Sequence, residues 1–303
     1  MKSERAFVTA QAPAKINLVL SVGPLRPDGY HDLATIFHAI SLYDQVDARL
    51  DDDIGVTVEG RQASQVPTGS ENLAVRAAES LAAYAGVQSG AALHIRKTIP
   101  VAGGLAGGSA DAAAALVACD ALWETGLGRA EMATLAGRLG SDVPFALEGL
   151  TALGAGRGEQ LTPVMVGGQF HWVIAVARGG LSTPAVYAEL DRLRLGRQVL
   201  HPDAGHEVVA ALRGGDAEEL AATLRNDLAA AACSLEPSLR TTLETGLDLG
   251  ALAAIVSGSG PTCVFLAAGG GHALDLAMGL AAADVCADVE PATGPVPGAR
   301  VVA

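Results

Sequence analysis

The segment "PVAGGLAGGSADAAAAL", residues 100–116, places four glycines in one short loop and then runs straight into an alanine-rich stretch. Gly103, Gly104, Gly107 and Gly108 allow positive φ and remove the side chains that would keep a ligand away from the backbone. A helix opening at Ser109 and running to residue 123 turns free N–H groups and the positive end of its dipole toward that loop. Loop and helix together make a cradle for an anion such as a di- or triphosphate. Tight packing alone would call for the same glycines, so the segment by itself leaves both readings open. Its spacing fails two common nucleotide-binding patterns. Gly108 is followed by Ser109, not by the lysine a Walker A loop requires. Counted from Gly104, a dinucleotide fingerprint would need glycine at Ala106 and Ser109.

The segments around the loop predict an α+β chain. "KINLVLSVG" (15–23), "QVDARL", "IGVTVEG" and "AALHIRKTI" read as strands, and "PLRPDGYHD" as a loop punctuated by Pro24, Pro27 and Gly29. A helix follows Ser70, taken as its N-cap, with Leu73, Ala77, Leu81 and Tyr84 on one face and Gly86 as C-cap. Another spans 129–139 and stops at Gly140. Glycines and Pro163 then suggest a boundary near 165, dividing the chain into domains 1–165 and 166–303. The second half reads as a strand at 171–177, several helices, two strands around "IVSGSGPTCVFLA", a helix near 272–283 and a closing strand "ARVVA". That order suits helices on one face of an antiparallel sheet.

A net charge of −13 argues against a nucleic-acid footprint, which needs clustered lysine and arginine. It leaves room for a small phosphorylated ligand, because backbone N–H nests bind anions on acidic proteins. Cys119, Cys233, Cys263 and Cys286 are scattered without metal-ligand spacing and read as small buried hydrophobes. "MKSERAFVTAQAPAK" has no apolar run of a signal peptide, and no stretch has the length of a membrane span, so a soluble cytoplasmic protein is expected.

The order Pro, glycine loop, Ser, Asp, alanine-rich helix resembles the central motif of the GHMP small-molecule kinases. "APAKINLVL" (12–20) resembles their N-terminal motif and "VSGSGPTCVF" (256–265) their C-terminal one. Within that superfamily, "PAKINLVLSVGPLRPDGYHDLATIFHAISLYD", "SENLAVRAA", "LGSDVPFAL", "GRGEQLTPV", "LSTPAVYAELD" and "LRNDL" are similar to the branch acting on a cytidine diphosphate-linked methylerythritol in non-mevalonate isoprenoid synthesis. The resemblance implies two α+β domains, a ribosomal-protein-like N-terminal one and a ferredoxin-like C-terminal one, with the active site in the cleft between them. It also implies ATP and Mg2+ as co-substrate and cofactor, and transfer to the 2-hydroxyl of the acceptor. The familiar loop reads closer to G-L-G-G-G-S-S-D; here Ala106 and Ala110 replace a glycine and a serine. Ala106 is tolerable if its φ is negative, and the second loop hydroxyl is gone.

Carried onto this chain, the resemblance makes Lys15 and Asp142 the catalytic pair, although alone they read as a strand-end charge and a turn residue. Asn17, two residues along the same strand, shares the face of Lys15. Pro100, Val101, Ala102, Gly103, Gly104, Leu105, Ala106, Gly107, Gly108, Ser109 and Ala110 form the ATP-binding segment, with Asn72 and Lys97 near the adenine. Tyr30 and His31 are expected as exposed loop residues that meet the cytosine, and Tyr187 as its other aromatic face. Asp111 is expected to cap the helix. "SGSGPT" (257–262) is either a tight hairpin or a buttress of the first glycine loop. Asp142 is the one obvious acidic candidate for a metal, whose ligands the sequence leaves unknown.

Overall fold

The computed structural model describes residues 7–60 and 62–302. The first six residues of the N-terminal segment, Arg61 and Ala303, the end of the expected closing strand, lie outside the described residues. The strands are β1 (Phe7–Leu25), β2 (His31–Asp51), β3 (Gly55–Glu59), β4 (Gly90–Arg96), β5 (Thr151–Gly156), β6 (Gln160–Pro163), β7 (Phe170–Val176), β8 (Arg225–Asn226), β9 (Ala253–Val256), β10 (Cys263–Ala267), β11 (Asp288–Gly294) and β12 (Arg300–Val302). The helices are α1 (Leu73–Ala85), α2 (Gly107–Trp123), α3 (Arg129–Leu139), α4 (Val143–Glu148), α5 (Thr183–Leu193), α6 (Glu207–Gly214), α7 (Ala217–Ala221), α8 (Ala229–Leu235), α9 (Ser238–Asp248) and α10 (Gly270–Ala282). None is long and apolar enough to cross a membrane among the described residues.

Two sheets organise the α+β architecture. The larger runs β12-β1-β2-β4-β3, with β5 and β6 continuing from β2 and β8 lying parallel to β1. The smaller is antiparallel, β11-β7-β10-β9. Every strand of the smaller sheet comes from after residue 165, while β8 and β12 return to the larger sheet. β1 and β2 are much longer than the strands at 15–23 and "QVDARL". The 21 residues from His31 to Asp51 form one strand. Its middle, Ile36 to Ile40, is buried without alternation, so the period-2 signal that marks a half-exposed strand is missing.

The alanines of α2 have a packing reason. Ala110 and Ala112–Ala115 are all fully buried, because the helix is enclosed rather than laid on a surface. It forms the centre of one core with Ile16, Leu18, Ile40, Leu81 and Leu93. The smaller sheet divides its faces between cores: Phe170, Trp172 and Ile174 of β7 join that core, whereas Val173 and Ala175 face a second one with Val186, Leu239, Phe265 and Leu276. Both faces of the smaller sheet are therefore covered.

Local differences from the sequence reading have local causes. Helix α1 is capped by Asn72, not Ser70: Asn72 Oδ1 accepts from Ala74 N at 2.8 Å. Gly86 does cap its C-terminus in the left-handed region. Helix α2 starts two residues earlier than Ser109, at Gly107, with Ala106 as a left-handed N-cap whose side chain makes no capping bond. The α3 bounds and its stop at Gly140 agree with the sequence reading.

Candidate active site

The bulged pairing of β1 with β2 carries Lys15 and Asn17 on the same face. Lys15 Nζ donates to Asn17 Oδ1 at 2.7 Å and to the Gly104 carbonyl at 3.0 Å, and it lies 5.7 Å from the centre of the Phe37 ring. Asn17 in turn donates to Thr35 Oγ1 at 2.8 Å, and Thr35 to the Val19 carbonyl at 2.6 Å. Burial pushes the Lys15 ammonium below its ordinary value, and the nearby Asp142 charge works against that shift. Asp142 precedes α4 and makes no capping bond to it, so its carboxylate is not consumed by the helix. Lys15, Asn17, Thr35 and Asp142 line one cavity of about 380 Å³.

The glycine loop forms the opposite wall, through Ala102, Gly103, Gly104, Ala106, Gly107 and Gly108. Ala102 and Ala106 have φ of 53° and 59°, so the condition under which an alanine at 106 carries no strain, a negative φ, is not met. The close packing beneath the loop explains the strain. Leu105 is fully buried, and its carbonyl accepts from Lys15 N at 3.2 Å. A methyl group on Gly104 would sit 2.2 Å from the Ser257 carbonyl oxygen. Of the rest of the segment, Pro100 and Val101 are half-buried, Ala110 faces the core, and Ser109 lies in the first turn of α2.

The "SGSGPT" segment is a hairpin turn between β9 and β10 and at the same time a buttress. Ser257 Oγ donates to the Gly104 carbonyl at 3.2 Å. Asn226 Nδ2 holds the turn through the carbonyls of Val256 and Gly258, both at 2.7 Å. Thr183 and Ser259 join hydroxyls at 2.8 Å across its edge.

Asp111 does not cap α2. It is buried and accepts from Lys97 Nζ at 2.9 Å, while Lys97 also pairs with the fully buried Asp44. Asp44 Oδ1 takes the N–H groups of Thr98 (2.6 Å) and Ile99 (2.9 Å), which fixes the chain entering the loop. Burial, reinforced by the Asp44 charge, pushes the Asp111 carboxyl up to about 8. Burial pulls Lys97 down, but the two carboxylates outweigh it and the net direction is up. Lys97 Nζ sits only 3.0 Å from where a Gly107 methyl would be, directly behind the loop. Neither Lys97 nor Asn72 lines the cavity; Asn72 and the side chain of Lys97 are buried beside it, on the hydrogen bonds just described.

A second chamber of about 490 Å³ adjoins the first, sharing Leu33, Ser141, Arg157, Thr183 and Tyr187 with it. Tyr30 and His31 are among its walls. Tyr30 is 54% exposed, as expected, under the Arg157 guanidinium at 5.0 Å. His31 is not an exposed loop residue. It opens β2, is 5% exposed, and its ring lies 5.2 Å from that of Tyr187, tilted by 33°. Burial, then the Asp142 charge, pushes the Tyr187 hydroxyl up to about 12. Sequence reasoning missed Thr35, Asp44, Arg157, Thr183 and Asn226, and held Ser259 only as part of the "SGSGPT" turn. All of them lie inside the motif segments quoted above, which carry no signal of what they touch.

Models of the GHMP kinases N terminal domain and the GHMP kinases C terminal region match residues 72–149 and 208–281. A 4-diphosphocytidyl-2-C-methyl-D-erythritol kinase of Salinispora arenicola is 58% identical over 293 residues, covering 96% of this chain and 93% of that one. The chain belongs to the 4-diphosphocytidyl-2-C-methyl-D-erythritol kinase family. It is thus a GHMP small-molecule kinase, with ATP as its phosphoryl donor. A crystal structure of a 4-(cytidine 5'-diphospho)-2C-methyl-D-erythritol kinase superposes with a TM-score of 0.76 at 34% identity, covering 94% of this chain and 98% of that one. A homoserine kinase from Cytophaga hutchinsonii gives the same TM-score at 18% identity, covering 100% of this chain and 99% of that one. The fold is thus common to kinases named for different acceptors, and family membership rests on the sequence identity.

Proposed function

We propose that this kinase transfers the γ-phosphoryl group of Mg-ATP to the 2-hydroxyl of 4-diphosphocytidyl-2-C-methyl-D-erythritol, with Lys15 and Asp142 at the reacting atoms. The observation that carries this reading is the pair of adjoining chambers. The inner one combines a glycine loop with a lysine and a carboxylate, and the outer one is walled by Tyr30, His31 and Tyr187. The free N–H groups at the start of α2 hold the phosphates, since no side chain caps them. Lys15, anchored by Asn17 and the Gly104 carbonyl, places its charge against the transferring phosphoryl group. Asp142 orients the acceptor hydroxyl and takes its proton as the new bond forms; a loose transition state asks little basicity of it. Cytidine diphosphate lies along the outer chamber, its base against the Tyr187 and Tyr30 rings.

Mg2+ fits this site as an ion carried on phosphates. Asp142 is the carboxylate among the cavity walls, and no group of three His, Cys, Asp or Glu side chains that could cage a metal occurs among the described residues. Asp142 would hold it beside the phosphate oxygens, and the ion would neutralise their charge. We place the reaction in the cytoplasm, where the four free cysteines stay reduced.

ADP release by the purified enzyme tests this with the cytidine acceptor, mevalonate, homoserine and galactose in parallel. Turnover with the cytidine acceptor alone, falling by at least about 10²-fold in Asp142→Ala, is expected. Turnover only with another acceptor would sink the substrate assignment, and an Asp142→Ala rate near wild type would sink the role of Asp142.

A further inference from the structure

The His31 ring is fixed through one nitrogen and unpaired at the other. Its Nε2 lies 2.9 Å from Asp191 Oδ1, a residue 160 positions away on α5. Nδ1 makes no hydrogen bond among the described residues. The Tyr187 ring on the same helix, one turn before Asp191, packs against the imidazole. His31 is a wall of the outer chamber, whereas Asp191 is not, so the carboxylate grips the ring from behind.

An ionised carboxylate only accepts hydrogen bonds, so it decides which nitrogen of a neutral imidazole carries the hydrogen. With Nε2–H directed at Asp191, Nδ1 retains its lone pair. A lone pair at that wall attracts an amino group and repels a carbonyl oxygen. Cytosine and uracil differ by that exchange at their 4-position.

We propose that Asp191 is a specificity-determining positioning residue, which holds His31 as the Nε2–H tautomer and so leaves Nδ1 to accept from the 4-amino group of cytosine and to oppose the 4-carbonyl of uracil. The inference rests on the reading that the outer chamber takes the base of the acceptor. Asp191 itself touches no substrate and acts only through the ring.

Cytidine diphosphate and uridine diphosphate, tested as competitive inhibitors against the acceptor, read this preference directly. Wild type is expected to favour the cytidine compound by about tenfold, the scale of one hydrogen bond made or lost. In Asp191→Asn the amide can present either its oxygen or its NH2 to Nε2, so the tautomer is no longer dictated. That variant is expected to lose about tenfold in affinity for cytidine diphosphate and little for uridine diphosphate, with KM for ATP unchanged. The imidazole 15N shifts of His31 in the wild-type enzyme should show hydrogen on Nε2. An Nδ1–H tautomer in wild type, a cytidine preference that survives in Asp191→Asn, or an equal loss of both affinities would each overturn the inference alone. If neither diphosphate competes with the acceptor in wild type, the base-chamber reading falls and the inference with it.

Discussion

Gly104→Ala tests the idea that the two glycine turns act as one unit. Gly104 has φ of +75°, and the added methyl would meet the Ser257 carbonyl oxygen at 2.2 Å and the Gly260 oxygen and nitrogen at 3.1 and 3.2 Å. These are backbone atoms of a turn already tied by Asn226 and by the Ser257 N–H to the Thr262 carbonyl at 2.9 Å. The turns must therefore part by roughly 1 Å to reach ordinary contact. Overpacking costs about 1–3 kcal/mol, and a left-handed alanine about 1–2 kcal/mol more, so a loss of about 2–5 kcal/mol is expected. The chemistry suffers as well, because the Gly104 carbonyl anchors Lys15 Nζ at 3.0 Å. A shift of about 1 Å in a reacting group costs on the order of 10²-fold in kcat. Gly271→Ala is the matched comparison: it lies in α10, its methyl meets nothing within 4 Å, and helix propensity alone should stabilise it by about 0.5–1 kcal/mol. Thermal melts and ADP-release assays on both variants decide the matter. Gly104→Ala should melt about 3–8 °C lower, with kcat down by about 10²-fold, and Gly271→Ala should match wild-type activity. A Gly104→Ala enzyme with wild-type Tm and kcat within about threefold would refute the reasoning.

Two further tests use titration. Asp111 is raised to about 8 from an ordinary 3.8, so between those values the folded state holds a proton that the unfolded chain releases. Its contribution to stability is therefore full below pH 3.8 and declines as pH rises toward 8, by at most about 1.4 kcal/mol per pH unit. Asp111→Asn keeps an acceptor for Lys97 but cannot titrate; its Tm should fall less than that of wild type between pH 5 and pH 8, and equal falls would contradict the assignment. Burial lowers Lys15, so the charge needed beside the phosphoryl group is lost at a lower pH than an exposed lysine would lose it. The kcat/KM profile should turn down on the alkaline side before 10.5, and a plateau through that pH would count against an essential Lys15 charge.

What the residues reveal unaided follows a physical divide. Gly140 stops α3 where expected, and the four loop glycines announce a permissive turn, because both are properties of a few adjacent residues. The same local logic assigned Asp111 to a helix cap and Ser70 to the start of α1. Both were overruled by other partners: by Lys97 beneath the loop and by Asn72 nearer the helix. β2 was legible only at its far end, since the covered faces of the sheet erase alternation between Ile36 and Ile40.

The candidate site divides in the same way. Its residue types, the glycine loop with Lys15, Asn17 and Asp142, are written in short motifs that can be read without a fold. Tertiary structure alone decided that His31 is buried and gripped by Asp191, that Lys97 serves two carboxylates behind the loop, and that the Ser257–Thr262 turn supports Gly104. Those partners are 14 to 160 residues apart along the chain. Backbone dihedrals and caps are set by near neighbours, whereas buried charges and hydrogen bonds take whichever partner the packed fold brings within about 3 Å.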